Sequence, residues 1–392
     1  MIDLRRLSPA LSGLLVAPLA VAAIASCSAP ADAESSPLGR SAAAASFDVD
    51  LAETSVSGLS SGGFMAVQLH VAFSSSMRGA AVFAGGPLAC SGGTVSGALT
   101  RCMRGSPSID TAALVALTKS RAESGAVDPV AHLAGQRVFL FGGAEDDVVA
   151  PSVMDALRAY YAAFVAPDAI RFERRRPGTG HTMPTVSEGK ACAASASPYL
   201  GACGYDGAGE ALAHLYGPLS PPAETLSGTF LSLRQGDFVT DPRAHSLADT
   251  ARAYVPRACA EGARCRVHVA LHGCLQSESH VGDAFYGRAG YNRWADTNRI
   301  LVLYPQTVAT PGKNPNGCWD WWGYDGPDYA SRAAPQMRAI MGMVEALAGG
   351  RAGPAPVDAG PIDAARDVDP PAAAECVRTS NAAHVEAGRA RA

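Results

Sequence analysis

Between residues 47 and 348, short apolar runs alternate with segments of helical character, and this alternation narrows the possible folds more than any other feature of the chain. Residues 53–57, 137–141, 170–174, 228–233, 266–271 and 300–304 read as strands. Helix-like segments at 61–73, 152–165, 283–297 and 334–347 lie between many of them. Strands separated by helices pair through crossovers rather than hairpins, so the expected fold class is α/β, with a largely parallel central sheet and helices on both faces. The high glycine and proline content, 41 and 27 residues, fits many loops rather than a helical bundle.

Composition closes off other classes. A chain that is 48% hydrophobic and 17% charged is not disordered throughout. With 32 Lys+Arg against 36 Asp+Glu, the net charge of −4 leaves no excess of cations for a phosphate backbone, and no nucleic-acid partner is expected.

The flanks of the body read differently. Residues 1–26 have the form of a signal peptide, with Arg5 and Arg6 ahead of an apolar stretch from Leu11 to Ala25 that is too short to span a bilayer. The leader ends in Ile24-Ala25-Ser26-Cys27, which resembles a bacterial lipoprotein signal whose cysteine is acylated. The alternative is ordinary cleavage after a nearby alanine, with Cys27 incidental. Either way the chain is exported, as an outer-membrane or cell-surface lipoprotein held by a lipid at Cys27 or as a secreted protein. Residues 27–46, rich in Ala, Ser and Pro, read as a flexible tether, and residues 349–375 as a disordered linker. In an exported protein the 10 cysteines read first as disulfides. Cys90 and Cys102, Cys192 and Cys203, and Cys259 and Cys265 are near neighbours that could each staple a loop. Cys274 and Cys318 would make a longer pair and leave Cys376 alone, although connectivity does not follow from sequence. No CxxC occurs and the histidines are scattered, so no metal site is expected.

Chemistry concentrates in a few loops. Gly58-Leu59-Ser60-Ser61-Gly62-Gly63 follows the first strand and precedes a helix. A nucleophile on a sharp strand-to-helix turn needs small residues two places before and two after it, which selects Ser60 over Ser61. Ser61 would then offer its backbone N–H to an oxyanion at the helix N-terminus. The plainer reading makes Ser60 a helix cap. After the strand at 137–141 comes Glu145-Asp146-Asp147, with Asp146 the candidate acid, unless all three merely favour the next helix start. After the strand at 170–174 comes Gly180-His181, a candidate base in a glycine-rich loop. The order Ser60, Asp146, His181 is that of α/β-hydrolases. That fold draws a second oxyanion donor from a His-Gly loop ahead of the nucleophile, and no such loop precedes Ser60. Leu271-His272-Gly273-Cys274-Leu275-Gln276 has the form but lies after His181. Circular permutation accounts for this and makes the Cys274 N–H the second donor; alternatively His272 is a packing residue.

With these segments assembled, the chain resembles the secreted poly(3-hydroxybutyrate) depolymerases, in particular the circularly permuted, single-domain kind. Further similar stretches are Phe64-Met65, Thr182-Met183-Pro184, Tyr291-Asn292-Arg293-Trp294-Ala295-Asp296 and Asn316-Gly317-Cys318-Trp319-Asp320-Trp321-Trp322. The resemblance implies a circularly permuted α/β-hydrolase over residues 47–348, a Ser60–Asp146–His181 triad, an oxyanion hole from the Ser61 and Cys274 amides, a polyester or ester-oligomer substrate and no cofactor. A monomer is expected. It gives Trp319, Trp321 and Trp322 a role as an apolar platform for the polyester, where burial would make them core. Residues 376–392 look like the start of a C-terminal module found on related esterases, cut short. The rival functions are a feruloyl or acetyl carbohydrate esterase and an inactive polymer-binding lipoprotein.

Overall fold

A computed structural model describes residues 46–349. The expected signal peptide, tether, linker and module remnant, with Cys27 and Cys376, lie outside the described residues but for Ser46 and Gly349. Eleven strands are numbered in chain order: β1 (Thr54–Leu59), β2 (Met77–Phe83), β3 (Arg137–Gly143), β4 (Ile170–Arg176), β5 (Met183–Thr185), β6 (Lys190–Ala191), β7 (Leu200–Ala202), β8 (Thr229–Arg234), β9 (Thr250–Val255), β10 (Arg266–Leu271) and β11 (Ile300–Tyr304). Eight form one sheet in the order β4-β3-β2-β1-β10-β11-β9-β8, while β5, β7 and β6 form a small sheet of their own. From β4 to β11 every neighbouring pair is parallel, and β9 runs antiparallel to both β11 and β8.

The strand sequences explain why both faces are covered. Successive side chains leave a strand on opposite sides. In β3, Val138 and Leu140 enter one core while Phe139 and Phe141 enter the other. In β11, Leu301 and Leu303 alternate with Val302 and Tyr304 in the same way. Helices Ser61–Ala72, Pro151–Tyr161 and Pro335–Leu347 supply most of their buried residues to the first core, and Gly207–Tyr216 and Tyr291–Asn298 supply theirs to the second. The chain is therefore α/β with a covered, mostly parallel sheet, as the alternation of runs predicts. A polar seam joins the two central strands: His268 on β10 bonds through Nδ1 to Ser55 Oγ and through Nε2 to Ser57 Oγ, each at 2.7 Å. Burial pushes this imidazole down to about 3, so the seam stays neutral.

The helix after β1 is buried on every side along its whole length. Two expectations need revision. The helix expected at 283–297 is two, Ala284–Arg288 and Tyr291–Asn298, broken at Gly290, whose φ of 101° a helix does not accept. β2 and β9 are additional strands. β2 contains Gly79 because a Cβ there would collide with the Arg137 carbonyl on β3.

The cysteines form four disulfides among the described residues: Cys90–Cys102, Cys192–Cys203, Cys259–Cys265 and Cys274–Cys318. The ends of the body meet, since the Phe47 N–H donates to the Leu347 carbonyl at 2.9 Å and Val49 bridges to Cys265 just ahead of β10. No helix among the described residues is long and apolar enough to cross a membrane.

Candidate active site

Ser60 stands on a forced turn between β1 and the helix Ser61–Ala72. Its φ of 58° is one that a side-chain-bearing residue rarely adopts, and the turn is held by its N–H to the Phe83 carbonyl and its own carbonyl to the Phe64 N–H, both at 2.9 Å. The flanking glycines are sterically required. A Cβ on Gly58 would strike the Gly62 carbonyl, and one on Gly62 would strike the Leu271 and His272 carbonyls at the end of β10. Those contacts are backbone on backbone and cannot be relieved by a rotamer change. Gly62→Ala is expected to cost about 3 kcal/mol or more, read as a lower urea midpoint; an unchanged midpoint would mean that helix and strand can separate freely.

The acid and base loops interlock residue by residue. The His181 ring bonds through Nδ1 to both Asp146 oxygens, Oδ1 at 3.1 Å and Oδ2 at 2.9 Å, with His181 4% and Asp146 8% exposed. Asp146 Oδ1 also accepts the Val148 and Val149 N–H groups at 2.9 and 2.8 Å, which fixes the carboxylate plane. Because a carboxylate only accepts, the ring proton sits on Nδ1 and Nε2 is left as a base. Glu145 accepts the Thr179 N–H at 2.8 Å. Asp147 accepts the Ser195 hydroxyl at 2.6 Å, and Ser195 Oγ in turn accepts the His181 backbone N–H at 3.0 Å. All three acidic residues thus grip the histidine loop; none serves merely as a charge for the helix Pro151–Tyr161. The Cys192–Cys203 disulfide closes the segment that carries Ser195.

These loops open into a cavity of about 520 Å³ whose lining includes both Ser60 and His181. No hydrogen bond joins the Ser60 hydroxyl to the His181 ring among the described residues, and such contacts commonly tighten only when substrate is present. Cys274, brought in from the end of β10, lines the same cavity. Among the described residues neither the Ser61 nor the Cys274 amide N–H has a protein acceptor. The Ser61 hydroxyl is buried without a partner.

The walls are largely apolar. Phe64 stacks on Trp321 with ring centroids 4.0 Å apart, and Trp322 meets Trp321 edge-on at 5.5 Å. Both indole N–H groups are buried and unpaired. At the mouth Val95 and Leu99 are 57% and 54% exposed, on a segment held by the Cys90–Cys102 disulfide. Trp319 corrects the sequence reading: it is fully buried, outside the cavity wall, and donates its indole N–H to the His272 carbonyl at 2.9 Å. The cause is a turn centred on Asp320, whose carboxylate accepts the Gly323, Tyr324 and Asp325 N–H groups. That turn sends Trp319 inward and brings its two successors to the wall. Burial pushes the Asp320 carboxyl up to about 6 despite those three amides. Sequence reasoning passed over Tyr199, Val95, Leu99 and Ser195. Trp321, Trp322 and Cys274 are wall residues that the sequence does signal, and Phe64 is marked by its place beside the Ser60 turn.

The chain is 45% identical over 315 residues to a poly(3-hydroxybutyrate) depolymerase of Delftia acidovorans, an overlap of 79% of this chain and 62% of that protein. It is 40% identical over 321 residues to a polyhydroxybutyrate depolymerase of Talaromyces funiculosus, covering 78% of this chain and 92% of the relative. The chain belongs to the polyhydroxybutyrate depolymerase family. The crystal structure of the PHB depolymerase from Penicillium funiculosum matches the fold with a TM-score of 0.72 and 37% identity, over 78% of this chain and 98% of that one. A second solved structure, with the same score and coverage, is a serine-to-alanine variant of a PHB depolymerase complexed with an R3HB trimer. No family model matches the chain. The covered, mostly parallel sheet, together with the match to the solved depolymerase, is that of an α/β-hydrolase fold.

Proposed function

We propose that this member of the depolymerase family is an exported enzyme that hydrolyses poly(3-hydroxybutyrate) or its oligomers through an acyl-enzyme on Ser60. The observation that carries the reading is the Asp146–His181 pair, whose unengaged Nε2 belongs to the same apolar cavity as the strained Ser60 turn. His181 takes the Ser60 proton as Oγ attacks the ester carbonyl, and Asp146 steadies the resulting imidazolium. The oxyanion accepts from the Ser61 and Cys274 amides; losing one such donor costs about 10²–10³ in kcat at comparable sites. Collapse breaks the ester C–O bond, and the departing hydroxyl end takes the proton from His181. A water deprotonated by His181 then releases the acid end and restores Ser60. Phe64, Trp321 and Trp322 offer the apolar wall that a polyester chain of this kind would lie against.

The order of the segments supports a circularly permuted hydrolase: β10, with its His-Gly turn, comes late in the chain yet pairs in parallel with β1, and the ends of the body lie together. Disulfides fit an oxidising compartment. The leader at 1–26 supports export, with a lipid on Cys27 or without one. The enzyme is proposed to act as a monomer.

The test is a product assay on amorphous polyhydroxybutyrate beside a feruloyl ester and a short nitrophenyl ester. Soluble 3-hydroxybutyrate oligomers and nitrophenol are expected. Feruloyl turnover with nothing released from the polymer would replace this reading with a carbohydrate esterase. An enzyme inert on all three would be a binding protein.

A further inference from the structure

The segment 271–276 holds two side chains that the reaction above leaves unused, His272 and Gln276; His272 grips the peptide bond that carries the Cys274 amide, and Gln276 grips the peptide just before it. The His272 ring, fully buried, bonds through Nδ1 to the Gly273 carbonyl oxygen at 2.7 Å. A carbonyl cannot donate, so the proton is on Nδ1, and Nε2 accepts the Thr307 N–H at 3.2 Å. Burial holds the imidazole down to about 4, which keeps it in this neutral form. In a trans peptide the C=O and N–H point in opposite directions. Pinning the Gly273 oxygen to His272 therefore turns the Cys274 N–H the other way. Gly273 itself abuts the nucleophile, since a Cβ built on it would lie 3.3 Å from Ser60 Cβ.

Gln276 is 1% exposed and uses its whole amide to hold the neighbouring peptide, His272–Gly273. Its Oε1 accepts the Gly273 N–H at 2.7 Å. Its Nε2 donates to the Pro198 and Tyr199 carbonyls at 2.9 and 3.1 Å. The Tyr199 ring meets the His181 ring edge-on with centroids 6.4 Å apart. One buried amide therefore ties the candidate oxyanion loop to the wall packed on the candidate base.

We propose that His272 and Gln276 are positioning residues that together aim the Cys274 N–H at the developing oxyanion, His272 by turning its peptide and Gln276 by holding the preceding peptide in register with the His181 wall. This rests on the Ser60 chemistry proposed above. Both act through the backbone of this turn, His272 on the Gly273–Cys274 peptide and Gln276 on the His272–Gly273 peptide ahead of it.

The test uses the full chain on a soluble nitrophenyl ester, with rates expressed per active site titrated by a phosphonate that labels serine, so that loss of folded enzyme does not count. Gln276→Met and His272→Gln are expected to lower kcat about 10- to 100-fold with KM changed less than about threefold, a partial form of losing one oxyanion donor. His272→Asn, whose amide nitrogen can stand where Nδ1 does, is expected to recover at least about tenfold over His272→Gln. Wild-type kcat per titrated site in both Gln276→Met and His272→Gln, or equal loss in His272→Asn and His272→Gln, would overturn the positioning roles. Failure of the underlying reading looks different: Ser60→Ala would then keep its activity, whatever these variants do.

Discussion

Ser60→Ala is expected to lower kcat on a soluble ester by about 10⁵- to 10⁶-fold, the scale of removing a nucleophile from a serine hydrolase. Ser61→Ala, one residue on, is expected to stay within about tenfold of wild type. The two serines differ in what the fold asks of them. Ser60 occupies the positive-φ turn at the cavity, whereas Ser61 begins the helix and would contribute only its backbone N–H, which alanine retains. The Ser61 hydroxyl is buried with no partner, so its removal should leave stability unchanged or raise it by about 1 kcal/mol. Steady-state kinetics with urea melts on both variants separate these outcomes. Equal losses of activity would move the nucleophile away from Ser60.

Asp146→Asn is expected to lower kcat by about 10⁴-fold while the protein remains folded. The geometry supplies the reason. Asp146 Oδ1 faces two backbone donors, Val148 and Val149, while Oδ2 faces His181 Nδ1. An asparagine has one oxygen, and two N–H groups compete for it against one. Its oxygen should settle toward Val148 and Val149, turning the NH₂ toward His181. The ring must then accept at Nδ1 and carry its proton on Nε2, the wrong tautomer to receive a proton from Ser60. Asp147→Asn provides the contrast, because an amide oxygen still accepts the Ser195 hydroxyl, and its kcat is expected to stay within about threefold. The pH profile of kcat/KM on both variants checks the argument. A tenfold or smaller loss in Asp146→Asn would show that His181 does not depend on this carboxylate for its tautomer.

Much of the frame was readable before any coordinates. The runs at 137–141, 266–271 and 300–304 are dense in Val, Leu, Ile and Phe because parallel strands are buried on both faces, and such density marks a strand by itself. The glycines around Ser60 were legible because a close strand–helix crossing leaves room for nothing larger, and Gly58 and Gly62 do face backbone. All four cysteine pairings considered from spacing occur. What escaped depends on long-range packing. β2 is rich in Gly and Ala because it is squeezed between neighbours, so it lacks the bulk by which strands are recognised. Glu145 and Asp147 carry no sequence mark that distinguishes a grip on residues 179–195 from a preference for the next helix. The inward course of Trp319 follows from one buried carboxylate, Asp320, collecting three amides into a turn. A cluster of tryptophans announces apolar surface without saying which side of the chain faces out.

The pairing of Phe47 with Leu347 brings the first and last residues of the body together. Both residues lie at the end of the sheet where β1 and β10 begin, whereas Ser60 lies where β1 finishes, one six-residue strand or roughly 20 Å away. A fusion made at either end of the body would therefore join it at one spot, a strand's length from the Ser60 turn.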